Sequence, residues 1–494
     1  MIRAPLLRRP RAWAAAFLLA VAPLALGGCS VNPATGSPSF TAFMSPEEEA
    51  RVGREQHPKI LAEFGGEYDD PEIKAYVDRI GQTLGKFTET PNQKFTVTVL
   101  NSPVVNAFAL PGGYIYFTRG LMAMAENEAE LASVVGHEIG HVVARHTAER
   151  YSQAVLGSLG ATLLGAVTGS GQVADLSSSL FQIHLRSYSR GQEFESDTLG
   201  IRYMARAGYD VRDAAGFLSK LEAHNRLASK LAGQDDDGDA YDIMSTHPRT
   251  RDRVEAATDL ALAGAAPGGH VRRSAYLAAI DGMLYGDHPS QGLVRGRQFI
   301  HPDLRFAFEV PPGYRMVNTP AFVAARHADG SSILFDGKTI PAGLTALEYL
   351  RDVWGSRVEL RDLESIEVNG LRTATAWLRV RQRSGDFDLR AVAIKFGPTQ
   401  VYRFQFLTPA DRSAEKSEIL RRATYSFRRI TAAEADAVKP YRIRIHTVAP
   451  GETAQSLADR LPFEDFRLER FRLINGLAPG EEPEVGQKIK LIAE

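Results

Sequence analysis

The sequence predicts an α+β chain of three folded parts, and three observations carry that prediction. Apolar residues recur at helical spacing around the stretch GHEIGHVVARH at 136–146. Strand-like and helical runs share the segment 299–432. Residues 441–494 read strand, helix, helix, strand. A chain of 494 residues is also too long for one core. Hydrophobic residues make up 44% and charged residues 24%, an ordinary globular balance, and the formal net charge of −1 favours no nucleic-acid partner.

The first residues read as an export signal. Arg3, Arg8, Arg9 and Arg11 precede an uncharged apolar run from Ala12 to Leu26, followed by Gly27-Gly28-Cys29. The L-G-G-C ending resembles the lipobox of bacterial lipoproteins. That resemblance implies a lipoprotein signal peptide over 1–28, with Cys29 as the first mature residue and the site of lipidation. Cys29 is the only cysteine, so no disulfide can form within the chain. Ser30 after the cysteine implies a periplasmic protein held by its lipid at the outer membrane. Residues 29–44, small and polar, read as a flexible lipidated tether.

The first folded part is expected over 45–265. Ser45 suits a helix N-cap, Pro46 the first helical position, and Glu47-Glu48-Glu49 the positive helix end. The β-branched run from Phe95 to Leu100 reads as a strand. The stretch NAFALPGGYIYFT reads as a hairpin turning at Pro111-Gly112-Gly113. Asn127 caps the next helix, with Glu130 three residues on, and Leu131, Val134, Val135, Val142 and Val143 follow at helical spacing. Residues 151–174 carry no charge and read as a buried hairpin or a cover over a site. Pro267-Gly268-Gly269 ends the part, leaving 266–298 as a linker before an α/β domain of unassigned role at 299–432.

The helix around 136–146 carries the chemistry. His137 and His141 share one helical face, and Glu138 stands about 100° round from His137. Zinc takes neutral imidazoles and a third protein ligand, leaving a position for water. Glu193 offers that ligand. Asp197, one turn later, suits an acceptor for a ligand imidazole N–H, while Glu195 is expected to point away into solvent. Glu138 is the general base for attack of water on a peptide carbonyl.

The stretches NAFALPGG, NEAELASVVGHEIGHVVARH, YSRGQEFESDTLG and STHPRTRDR resemble the CAAX prenyl endopeptidase family of gluzincins, in its soluble periplasmic branch, over roughly residues 45–260. The resemblance implies a mainly helical, zincin-like metalloprotease domain. It implies one Zn2+ per chain on His137, His141 and Glu193, with Glu138 as base, and catalytic roles for His247 and Arg253. His247 would lie near the metal, stabilising an oxyanion or blocking the water position in a latent state. Asn106, Ala107, Phe108 and Ala109 would form an edge strand that pairs with extended substrate. The implied function is a zinc endopeptidase of the envelope acting on unfolded or misassembled periplasmic and outer-membrane proteins. The alternative is a latent metalloprotein serving as chaperone or peptidoglycan-binding module. Membrane members of the family carry transmembrane helices, and 151–174 is too polar for one, which argues against a prenylated substrate.

HTVAPGETAQSLADRL, LINGL and VGQKIKLI, within 441–494, resemble a LysM domain, although the connecting PFEDFRLERFR departs from the usual pattern. That resemblance implies peptidoglycan as a possible partner.

Overall fold

The computed structural model describes residues 29–156, 187–232, 247, 251–264, 269–382 and 385–494. The expected signal peptide and most of the expected cover at 151–174 lie outside the described residues, as does the break at 267–268.

Residues 29–44 differ from a flexible tether. Strand β1 (Cys29–Val31) pairs antiparallel with β2 (Pro38–Phe40), placing Cys29 opposite Phe40. The small polar residues between them build the turn, where Asn32 accepts from Ala34 N at 2.9 Å. Helix α1 (Pro46–Glu63) then begins where the sequence places it, with Ser45 Oγ accepting from Glu48 N. Helix α2 (Pro71–Gly85) is capped by Asp70.

Strands β3 (Thr96–Leu100), β4 (Ala107–Leu110) and β5 (Tyr114–Thr118) form a sheet in the order β3-β5-β4, so the expected hairpin leaves β4 at an edge. Helices α3 (Arg119–Met124) and α4 (Glu128–Val143) follow, with Asn127 capping α4 at Glu130 N. Helix α4 lies against α5 (Arg190–Arg206), and α6 (Arg212–Ala232) and α7 (Arg251–Gly264) complete the part. The α4–α5 approach depends on glycine: a Cβ on Gly200 would stand 2.9 Å from His137 N.

The stretch expected as a linker is part of the core. Helix α8 (Arg273–Ile280) buries Tyr276, Leu277 and Ile280 completely, and Tyr276 Oη donates to Met122 O at 2.6 Å. Buried Arg119 donates to Leu284 O at 2.8 Å and Gly286 O at 3.1 Å. Apolar residues at helical spacing inside 273–280 outweigh the loop-like composition around them.

A four-stranded sheet of β6 (Leu293–Arg295), β7 (Gln298–His301), β8 (Phe306–Glu309) and the short β16 (Arg428–Arg429) leads into a larger one. Its strands are β9 (Arg315–Asn318), β10 (Val323–Arg326), β11 (Ser332–Thr339), β12 (Arg361–Val368), β13 (Leu371–Gln382), β14 (Gly385–Lys395) and β15 (Gln400–Pro409). The order is β12-β13-β14-β15-β11-β10-β9 and every pairing is antiparallel, so the α/β expectation for 299–432 is corrected. An α/β layout needs helical crossovers between parallel strands. Asn369 and Gly370, both at positive φ (48° and 77°), make a two-residue hairpin between β12 and β13. Helix α9 (Ser413–Ser426) packs on this sheet.

The last segment folds as β17 (Arg442–Thr447), α10 (Ala454–Ala458), α11 (Arg467–Asn475) and β18 (Lys488–Ala493), with the two strands paired antiparallel. It is not a separate bead. Phe471, Leu457, Ile474 and Ile489 belong to one hydrophobic core with Leu121, Leu131 and Val135 of the first part. The seven-stranded sheet has its own core of aromatic residues.

Candidate active site

Helix α4 presents His137 and His141 on one face, their rings edge to face at 4.7 Å between centroids. Helix α5 brings Glu193 opposite them, with Oε1 3.3 Å from His141 Nε2 and Oε2 3.6 Å from His137 Nε2. His247 enters from beyond α6, its Nδ1 2.9 Å from Glu193 Oε1 and 3.2 Å from His137 Nε2. One ligand atom from each of these four residues lies within 4.8 Å of the others. Glu138 is 1% exposed and its Oε1 stands 3.5 Å from His247 Nε2. Glu138 Oε2 and His247 Nε2 are buried without hydrogen-bond partners, as expected of groups facing an ion or a reactant. Three imidazoles and a carboxylate so close suit a tetrahedral divalent cation such as zinc.

The ligands are held from behind. With Nε2 of His137 facing the centre, Nδ1 carries the proton and donates to Asp197 Oδ1 at 2.9 Å. Arg253, 2% exposed, grips both Asp197 oxygens, Nε to Oδ2 at 2.8 Å and Nη2 to Oδ1 at 2.9 Å, and its Nη1 reaches Glu193. Arg253 therefore positions ligands. The second support runs through residues that spacing alone does not reveal. His141 Nδ1 stands 2.8 Å from His146 Nδ1, and His146 Nε2 is 3.3 Å from Glu195 Oε2. Glu195 also accepts from Asn32 Nδ2 at 2.7 Å, so the expectation that it points into solvent is corrected. Tyr188 stacks on His141 at 3.7 Å.

Burial and pairing oppose one another here. Burial would lower His137, but Asp197 and Glu193 raise it; burial carries His141 well below the usual histidine value. Burial raises Glu138, the direction that suits a base working near neutral pH, with His247 and His137 pulling back. Burial would raise Glu193 and Asp197 too, yet both lie below the ordinary carboxylate range. For Glu193 the histidines win, and for Asp197 the His137 hydrogen bond and Arg253 win.

Among the other residues singled out in sequence, Ala107, Phe108 and Ala109 lie on edge strand β4 with buried side chains, and Asn106 precedes them with a buried, unpartnered Oδ1. Cys29 opens β1. A cavity of about 50 Å3 lies beside His137 and Glu138, walled by Val134, Ile201, Met204, Phe217 and Leu221.

Residues 71–261 match the model of peptidase family M48. Over 198 residues the chain is 32% identical to a putative beta-barrel assembly-enhancing protease of Vibrio cholerae, covering 38% of each protein. It is 30% identical over 202 residues to the beta-barrel assembly-enhancing protease of Escherichia coli, covering 39% of this chain and 40% of that one. Over 159 residues it is 39% identical to the mitochondrial metalloendopeptidase OMA1 of Arabidopsis thaliana, covering 32% of this chain and 30% of that one. The chain thus spans about two fifths of the length of the beta-barrel assembly-enhancing proteases it matches. Residues 71–261, which fold around the converging histidines and Glu193, thus match peptidase family M48 and are similar to these proteases.

Proposed function

We propose that this protein is a zinc-dependent endopeptidase anchored in the bacterial envelope, hydrolysing misfolded or unassembled periplasmic and outer-membrane proteins. The convergence of His137, His141, Glu193 and His247 beside Glu138 carries this reading. The chemistry zinc supplies at such a site is Lewis acidity towards water and a peptide carbonyl. His137, His141 and Glu193 hold the ion, and Asp197 and Arg253 keep them in place. Glu138 takes the proton of the attacking water and passes it to the leaving amine. Edge strand β4 pairs with extended substrate backbone, a mode that reads main chain and leaves sequence preference loose. The names of the matched relatives support envelope substrates. The L-G-G-C ending supports a lipid anchor at Cys29, and no helix among the described residues is long and apolar enough to cross a membrane. The strand-helix-helix-strand end of the chain supports a LysM-like module that binds peptidoglycan, which retention of the full chain on purified sacculi tests.

A second reading, a latent metalloprotein acting mainly as chaperone or peptidoglycan-binding module, is favoured by one observation. His247 sits within the ligand set, where it fills the position that water needs.

The test uses the chain from Ser30 and its Glu138→Gln variant, with casein cleavage followed by mass spectrometry and zinc measured on the same samples. Cleavage by wild type and a loss of about 10²- to 10⁴-fold in the variant, zinc retained, is the expected result. Bound zinc without cleavage supports latency, and absence of zinc overturns both readings.

A further inference from the structure

We infer that the N-terminal hairpin is part of the apparatus that holds the metal: Asn32, through Glu195 and His146, fixes the ring of His141. The inference rests on the zinc reading above.

The links run in one direction. For His141 to offer Nε2 to an ion, its Nδ1 must carry the proton. That proton points at His146 Nδ1, 2.8 Å away, which must then be the acceptor. A neutral His146 accepting at Nδ1 carries its own proton on Nε2, which faces Glu195 Oε2 at 3.3 Å. Glu195 Oε1 in turn receives Asn32 Nδ2 at 2.7 Å. Each partner thereby sets the tautomer of the next, and the chain ends on a residue only three positions beyond Cys29. His146 is 1% exposed and Asn32 5%, so water does not substitute freely for either.

The backbone is arranged to deliver His146. A regular helix would place a residue five beyond His141 about 140° away from it. Helix α4 ends at Val143, and Arg145 adopts a left-handed conformation, φ 60°, which a non-glycine residue takes only when its surroundings impose it. Those surroundings belong to the N-terminal segment. Arg145 donates to Glu49 Oε1 at 2.9 Å, to Met44 O at 2.7 Å and to Ser30 Oγ at 3.3 Å. The same segment thus holds both the backbone that aims His146 and the carboxylate that orients it. His137 has a separate support in Asp197 and Arg253, so the two histidines are held by different residues.

The experiment measures zinc affinity of the chain from Ser30 by competition with a chromogenic chelator, and the visible spectrum of the Co2+-loaded protein. His146→Phe keeps a ring but removes the acceptor, and its zinc dissociation constant is expected to rise about 10- to 100-fold. His146→Asn places an amide oxygen near the position of Nδ1 and is expected to recover most of the loss and the wild-type cobalt spectrum. Asn32→Asp keeps the acceptor of its own turn but sets a carboxylate against Glu195, and is expected to weaken zinc in the same direction. Wild-type affinity in His146→Phe overturns the inference, as does a His146→Asn variant no better than His146→Phe. Should His146→Phe fail to fold, unchanged affinity in Asn32→Asp overturns the hairpin's part by itself. A wild-type chain that binds no zinc removes the metallopeptidase reading and this inference together, whereas failure confined to the variants removes this inference alone.

Discussion

The peptidase part and the seven-stranded sheet bury different chemistry. The first encloses Glu128, Glu130, Glu138, Glu193, Asp197 and Arg253, each at most 8% exposed. The sheet encloses Phe306, Phe308, Phe335, Phe404, Phe406 and Phe427, most of them ring against ring. Burying charges costs stability unless every one is paired, and a fold keeps them where the chemistry requires them. An aromatic core yields rigidity and offers no reactive group. The contrast sets the carboxylate-rich interior around the candidate site apart from the mainly aromatic interior of the sheet. The connections sharpen it: the chain leaves the peptidase part at Tyr285 and returns at Tyr441, where Tyr285 N donates to Tyr441 O at 2.8 Å. The sheet is therefore an insertion with adjacent ends, and the C-terminal segment belongs to the peptidase core despite its distance in sequence.

The largest expected effect follows from that topology. Replacing 288–439 with a short Gly/Ser loop should leave zinc content and the helical far-ultraviolet signal of the remainder intact. Deleting 441–494 should abolish both. Ile443, Leu457, Phe471, Ile474, Ile489 and Ile492 all lie in the shared core. Each is worth about 1.5–3 kcal/mol on burial, and together they rival the total stability of a domain, about 5–15 kcal/mol. A deletion that still binds zinc would break the comparison.

Point substitutions give a smaller, matched pair. Phe471→Ala and Phe404→Ala should each cost about 3–5 kcal/mol, but in different transitions. Trp354 and Trp377, the tryptophans beyond the signal segment, both belong to the sheet domain, so their fluorescence follows its unfolding. Release of the zinc proposed above follows the peptidase part. In urea, Phe404→Ala should shift the fluorescence midpoint and Phe471→Ala the zinc-release midpoint; equal shifts of both signals in either variant would mean one cooperative unit.

Legibility in the sequence followed local geometry. His137, His141 and Asp197 stand at helical spacings within continuous helices, and the structure brings them together with Glu193. Ser45 and Asn127 cap where expected, because capping is a matter of a few consecutive residues. His146 was hidden by the same reasoning, since only the break at Arg145 turns it towards His141. Glu195 was hidden because its partner Asn32 is distant in sequence. The linker reading of 266–298 follows loop-like composition, whereas the burial of 273–280 comes from packing on α2, α4 and the two C-terminal strands, which composition does not encode.

The smallest effect separates the two regions by the pH window in which each gains stability. Lys490 is fully buried, donates to Ala123 O at 2.8 Å and Ala125 O at 2.7 Å, and has Glu126, Glu130, Lys220 and Arg273 around it. Burial, helped by Lys220, pushes its pKa down from 10.5 to about 7. Between those values the unfolded chain binds a proton that the folded chain has released, so stability of the peptidase part rises with pH through that window and is lowest below it. Asp329 in the sheet domain acts in the same direction but in an acid window. Burial would raise it, but Lys416 Nζ at 2.7 Å, Ser331 and His327 hold it well below 3.8. Its contribution is complete above that value and is lost as pH falls further. Urea midpoints for zinc release should therefore climb from about pH 7 to pH 9 in wild type and lose that slope in Lys490→Met. Fluorescence midpoints should be flat over that range and fall below about pH 4, and Asp329→Asn should remove that acid limb. A zinc-release slope that survives in Lys490→Met would place the titrating group elsewhere in the peptidase core and leave only the acid limb of the sheet to distinguish the two regions.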